Sequence, residues 1–165
     1  MSLSKEQIIS FLSEVTDPEI PVLSIIDMGI VRDVVIHDKE TEVFITPTYS
    51  GCPAMDAIAF DIKMKLIEKG IAPVKVTYVL QPAWTTDWMS AEGKEKLQAY
   101  GIAPPVSATH QQRVNKLLFE EESGVSCPRC QSTHTQLLSQ FGSTACKALY
   151  QCEDCKEPFD YFKCH

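Results

Sequence analysis

IVRDVVIHDKETEVFITPTYSGCPAMDAIAFDIKMKLIEKG, residues 30–70, decides the reading of the first two thirds of the chain. Ile30 to Ile36 is rich in β-branched residues and predicts a strand. Asp38-Lys39-Glu40 is a polar turn, and Val43 to Thr46 predicts a second strand, so the pair forms a hairpin. Pro53 to Lys69 then changes period. Met55, Ile58, Ala59, Ile62 and Leu66 fall on one face of a helix, and Gly70 follows as its stop. Upstream, Ser4 caps a first helix with Gln7 in the capping-box position, and Ile8, Phe11, Leu12 and Val15 recur at helical spacing. Asp17-Pro18-Glu19-Ile20-Pro21 ends it, because proline cannot sit in a helix interior. Downstream, Val74 to Leu80 alternates as a third strand, and Ala91 to Tyr100 predicts a closing helix. The order α-β-β-α-β-α describes an α+β domain with a small three-stranded sheet.

The chain has 165 residues and a formal charge of −7. That acidic balance argues against a nucleic-acid partner. No apolar run approaches the roughly 20 residues that span a bilayer, and the N-terminus lacks a signal-peptide pattern, so a cytoplasmic protein with no membrane partner is expected. Cys52 stands alone, whereas Cys127, Cys130, Cys146, Cys152, Cys155 and Cys164 crowd the tail. Tyr100-Gly101-Ile102-Ala103-Pro104-Pro105 ends a helix and resists starting another. The boundary is therefore placed near residue 105, giving domains 1–105 and 106–165. Their net charges are −6 (9 basic, 15 acidic) and −1 (6 basic, 7 acidic).

Thr48-Tyr49-Ser50-Gly51-Cys52-Pro53 joins the second strand to the second helix. Pro53 suits the first helical position and would leave Cys52 as the N-cap. A thiol there faces unpaired N–H groups, which favours the thiolate that attacks electrophiles or binds metal. A small buried thiol with no chemistry is the competing reading. Asp17 reads equally as an Asx turn. Pro82 to Met89 holds both tryptophans, as core plugs or as an interaction surface. His37 is expected to face solvent beside the hairpin turn, and no catalytic triad is legible.

Cys127-Pro128-Arg129-Cys130 and Cys152-Glu153-Asp154-Cys155 are two C-x-x-C pairs, 21 residues apart. Two such turns close a tetrahedral four-cysteine site of the structural zinc type. Rubredoxin-type iron or an Fe–S cluster fits the same donors. A module this small draws much of its folding energy from the metal. Cys146 is a possible additional thiol, as an alternative ligand or a redox site. Cys164 and His165 are left without a role.

Asp17-Pro18-Glu19-Ile20-Pro21, Asp27-Met28-Gly29-Ile30-Val31 and the Thr48-x-x-x-Cys52-Pro53 turn resemble the small domain of SufT-like iron–sulfur assembly factors. The tail, with its two C-x-x-C pairs, Phe141-Gly142-Ser143-Thr144-Ala145-Cys146-Lys147-Ala148 and Glu157-Pro158-Phe159-Asp160, resembles the PaaD (PaaJ) family. That family accompanies the bacterial phenylacetyl-CoA monooxygenase, or epoxidase, of aerobic phenylacetate catabolism. The resemblance implies an accessory factor without independent catalysis that matures or delivers an Fe–S cluster to the reductase component. It places Cys52, Asp17, Glu19 and Thr48 at the transfer site, with a transient cluster or iron as cargo. Two alternatives stand beside it. One is a stoichiometric non-catalytic subunit of the oxygenase with structural zinc. The other is a thiol or redox enzyme using Cys52 or Cys146. A homodimer by edge-to-edge sheet pairing is a further expectation.

Overall fold

The computed structural model describes residues 3–106 and 124–163. Its elements are α1 (Lys5–Leu12), β1 (Val31–Ile36), β2 (Thr41–Ile45), α2 (Ala54–Glu68), β3 (Val74–Tyr78), a 3₁₀ turn (Thr86–Trp88), α3 (Ala91–Tyr100), β4 (Ile102–Ala103), β5 (Thr135–Ser139), β6 (Lys147–Cys152) and β7 (Pro158–Phe162). They fall into two compact units, Met1–Trp84 with Trp88–Gly93, and Thr85–Asp87 with Lys94–His165.

In the first unit the strand order is β1-β2-β3. β1 and β2 form an antiparallel hairpin with Val34 opposite Val43, and the His37 N–H donates to the Glu40 carbonyl across the turn. β3 runs parallel to β2, Val76 opposite Val43, so α2 is the crossover between them. This follows from elementary geometry, because parallel neighbours need a long connection and a helix supplies it. The capping box of α1 is formed: Ser4 Oγ accepts from the Gln7 N–H, and Gln7 Oε1 accepts from the Ser4 N–H at 2.9 Å. Ile8 and Leu12 of α1, Val43 and Ile45 of β2, and Met55, Ile58, Ile62 and Leu66 of α2 are buried together with Ile20, Leu23, Ile25 and Ile30 of the long α1–β1 connection.

That connection is held by polar groups. Asp27 is buried, and its Oδ2 accepts from the Ser24 N–H and hydroxyl while Oδ1 accepts from the Ser90 hydroxyl at 2.9 Å. Trp84 is a core plug whose indole N–H donates to the Met28 carbonyl at 2.8 Å. Trp88 is half-buried, with the Arg32 guanidinium 3.6 Å from its ring centroid. The aromatic segment therefore closes over the Asp27-Met28-Gly29 turn.

In the second unit the order is β4-β7-β6-β5, with β4 parallel to β7 and the other pairs antiparallel. Ile102 and Ala103, within the stretch read from sequence as ending a helix, are a buried strand of this sheet. Its core is Ala103, Val125, Cys127, Ala148, Tyr150, Cys152, Phe159 and Tyr161. Tyr150 stacks on Phe159 with centroids 5.9 Å apart and meets Tyr161 edge-on at 5.6 Å. No helix among the described residues is long and apolar enough to cross a membrane.

Candidate functional site

The tail cysteines converge. Cys127, Cys130, Cys152 and Cys155 offer sulfurs that all lie within 4.8 Å of one another, the one such cluster of His, Cys, Asp and Glu among the described residues. Cys127 to Cys155 is 3.7 Å and Cys130 to Cys152 is 3.5 Å between sulfurs. Zinc–sulfur bonds of about 2.3 Å in a tetrahedron would set sulfurs about 3.8 Å apart, so the donor set and its spacing fit a divalent metal.

The two turns repeat one construction. The Gln131 N–H bonds the Cys127 carbonyl, the Cys127 N–H bonds the Ser132 carbonyl at 2.8 Å, and the Cys152 N–H bonds the Glu157 carbonyl at 3.0 Å. The residue after each second cysteine is left-handed, with Gln131 at φ 62° and Lys156 at φ 64°. Backbone N–H groups of Cys155 and Asp154 aim at the Cys152 sulfur and bring its pKa down to about 7, toward the thiolate a metal needs. Cys130, despite the N–H of Ser132, is pushed up to about 12 by its thiol neighbours and burial, the repulsion expected where several sulfurs share one point. Side chains clamp one turn to the other. Arg129 pairs with Glu157, Ser132 donates to Asp154, and His134 Nδ1 lies 3.4 Å from Asp154. These clamps lie within or just after each C-x-x-C in sequence, and only their opposite charges could have marked them.

Left-handed backbone costs a side chain about 1–2 kcal/mol, and glycine's extra flexibility returns part of that. Lys156→Gly is therefore expected to stabilise the ribbon by about 1 kcal/mol, read as a raised thermal midpoint of the metal-loaded chain. A lowered midpoint would refute the strain.

Cys146 lies apart from the cluster. It is buried, its sulfur 3.0 Å from Thr144 Oγ1, and its carbonyl accepts from the Lys163 N–H at 3.0 Å as an extension of the β6–β7 ladder. Cys164 and His165 lie outside the described residues, as does 107–123 of the second domain.

Cys52 is half-buried, directly before α2. The cap itself differs from the expectation. Pro53 (φ −69°) is the N-cap and the helix begins at Ala54. Cys52 instead closes a turn, its N–H bonding the Tyr49 carbonyl and its carbonyl accepting from the Met55 N–H, both at 3.3 Å. Gly51 has φ +77° and open space where a Cβ would stand, so the backbone angle rather than crowding calls for glycine. Thr48 is buried in this turn, and Tyr78 reaches the start of α2 through its hydroxyl to the Met55 carbonyl at 3.3 Å. Thr46, missed from sequence, is 1% exposed, and its hydroxyl has no hydrogen-bond partner among the described residues.

Asp17 and Glu19 sit on the α1–β1 connection. Asp17 is buried and forms the Asx turn, its Oδ1 accepting from the N–H groups of Glu19 at 2.7 Å and Ile20 at 3.0 Å. Glu19 is half-exposed. This connection meets the strand leading into the Cys52 turn where the Thr46 N–H bonds the Ile30 carbonyl at 2.9 Å. His37 is exposed as expected, with Nε2 3.5 Å from the Glu42 carboxylate.

An α+β unit with a cysteine turn beyond the end of its central strand, followed by a β ribbon with four convergent cysteines, makes this a two-module protein. Residues 5–80 match the family described as iron-sulfur cluster assembly protein, and residues 111–163 match the PaaD zinc beta ribbon domain. The chain is 48% identical over 158 residues to an Escherichia coli protein described as a putative subunit of 1,2-phenylacetyl-CoA epoxidase, covering 96% of this chain and 92% of that one. It belongs to that PaaD family. The Fe-S protein maturation auxiliary factor of Porphyromonas gingivalis is 38% identical, over 57% of this chain and 90% of its own length. The crystal structure of a domain of unknown function, DUF59, from Bacillus anthracis superimposes with a TM-score of 0.53 at 28% identity, over 56% of this chain and 90% of that one.

Proposed function

We propose that the chain is an accessory factor of aerobic phenylacetate catabolism that matures the Fe–S reductase component of phenylacetyl-CoA monooxygenase. The observation that carries this reading is the joining of an iron–sulfur assembly module to a PaaD ribbon in one chain, alike over nearly its whole length to the epoxidase protein of Escherichia coli.

The two thiol sites divide the labour. Four convergent sulfurs make a closed site suited to a structural zinc, which supplies folding energy to a sheet with a core of eight small and aromatic residues. Cys52 is a single half-buried thiol in a turn, so a cluster held there takes its other ligands from a client or a second copy of the chain and can leave with the client. Thr48 lies buried in the same turn, and the family resemblance adds Asp17 and Glu19 to the site.

Cys52→Ser is expected to leave the fold and the ribbon metal intact. Iron and acid-labile sulfide in the reductase should fall to the level of cells lacking the chain. A reductase with its full cluster content in that background rejects the reading. The second reading, a stoichiometric component of the oxygenase, is favoured by the description of the Escherichia coli relative as a subunit. It predicts stable equimolar co-purification with the oxygenase and no effect of Cys52→Ser on the reductase cluster.

A further inference from the structure

We propose that the outer face of α2 docks a basic amphipathic helix of a partner protein. α2 is apolar on two opposite sides. Met55, Ile58, Ile62 and Leu66 point into the first unit's core. Phe60, Met64 and Ile67 stand outside, 62%, 49% and 49% exposed. At about 100° per residue the outer three fall within about 60° of one another and about 160° from the inner row. The core demands only the inner row. The spacing i, i+4, i+7 is that of the anchors by which one helix lies against another.

The charge beside this stripe indicates what covers it. A groove of about 380 Å³ opens along it, and Met64 belongs to both. The groove's charged lining is Glu14, Asp61 and Glu68 against Lys65, so three carboxylates face one ammonium. Lys65 already bridges Glu14 at 3.2 Å and Glu68 at 3.3 Å, and Lys69 adds a bridge to Glu14 at 3.4 Å, so the acidic excess that a partner meets lies at Asp61 and Glu68. A second copy of the chain would bring the same carboxylates to the contact, and like charges there oppose association. A helix with an apolar row flanked by Lys or Arg satisfies both features. From Phe60 to Ile67 the stripe spans about 10 Å, so two to three turns of partner suffice. The proposal goes beyond cluster delivery and does not involve Cys52.

The test uses the full chain and two fluorescein-labelled designed helices of about four turns. One carries Leu at i, i+3, i+4 and i+7 with Lys elsewhere; the other replaces every Lys by Glu. Anisotropy should show the Leu–Lys helix bound at least roughly tenfold more tightly than the Leu–Glu helix. The double variant Phe60→Ser/Met64→Ser should lose at least roughly tenfold, with circular dichroism and unfolding midpoint retained, because both side chains are exposed. Asp61→Lys with Glu68→Lys should reverse the preference between the two helices. Cys52→Ser should bind as the wild type does, which separates this result from the fate of the delivery role. Equal binding of both helices, or full affinity in the double variant, overturns the proposal. So does sedimentation showing a dimer that the double variant breaks, which would assign the stripe to a second copy.

Discussion

Cys152→Ser is expected to strip the ribbon of its metal and unfold it while the first unit stays folded. Cys152 is fully buried and serves twice, as one of four convergent sulfurs and as a member of the eight-residue core. Structural zinc in modules of this size contributes apparent binding free energies of about 10–16 kcal/mol, which is most of what holds them together. Serine nearly keeps the volume but loses the thiolate, and its hydroxyl is a poor ligand for a borderline-soft metal. Tyr150, Phe159 and Tyr161 cannot hold the sheet by themselves, since so short a core supplies only a few kcal/mol. Elemental analysis should find about one metal fewer per chain than in the wild type. Limited proteolysis should then cut within 124–163 and spare α2 and its sheet. A variant that keeps its metal and its protection would remove the four-cysteine site from the account of the fold. Chelation of the wild-type metal should reproduce the same pattern reversibly.

Gly29→Ala is expected to destabilise the first unit by about 3 kcal/mol or more. Two costs add. The backbone at Gly29 has φ +69°, where an alanine pays about 1–2 kcal/mol. Its Cβ would stand 2.5 Å from the Trp88 carbonyl oxygen and 2.8 Å from the Trp88 Cβ. These atoms are backbone or tied to it, so relief requires the 84–90 segment to move. That segment carries the Trp84 bond to Met28 and the Ser90 bond to Asp27, each a buried link lost on displacement. Urea unfolding followed by tryptophan fluorescence reads the effect directly, because both tryptophans lie in this segment. A midpoint within the error of the wild type would show that the loop yields freely. Gly51→Ala is the control. The same left-handed angle there meets open space, so only the conformational cost of about 1–2 kcal/mol applies.

The contrast between these two glycines shows where a single sequence stops. Gly29 and Gly51 each precede a β-branched residue or a cysteine in a polar-to-apolar transition, and nothing local separates them. What differs is Trp88, distant in sequence, packed against one and not the other. Asp17 and Asp27 are a similar pair. Both belong to short acidic motifs, and the structure makes each a buried acceptor of nearby N–H or hydroxyl groups. Asp17 closes a local turn, legible from Asp-Pro chemistry. Asp27 holds Ser24 locally and reaches Ser90 at a separation of 63 residues, a tie that periodicity cannot display. The Cys52 cap shows a smaller limit. Proline tolerates both the capping and the first helical position, and the backbone angles chose the former.

By itself the sequence determined the element order from α1 to α3, because helix and strand periods differ and each run of apolar residues there is long enough to show one of them. It also picked out the four cysteines that converge, because C-x-x-C spacing is itself the geometry that points two sulfurs one way. Tertiary structure alone decided which strands are neighbours: β3 alongside β2 in parallel, and Ile102–Ala103 as the outermost strand of the ribbon sheet. It decided that the tryptophans close a turn, and that α2 has a second apolar face left outside. The physical reason is the same in each case. Local chemistry sets dihedral angles and periods, whereas pairing, burial and exposure depend on which distant segments arrive alongside.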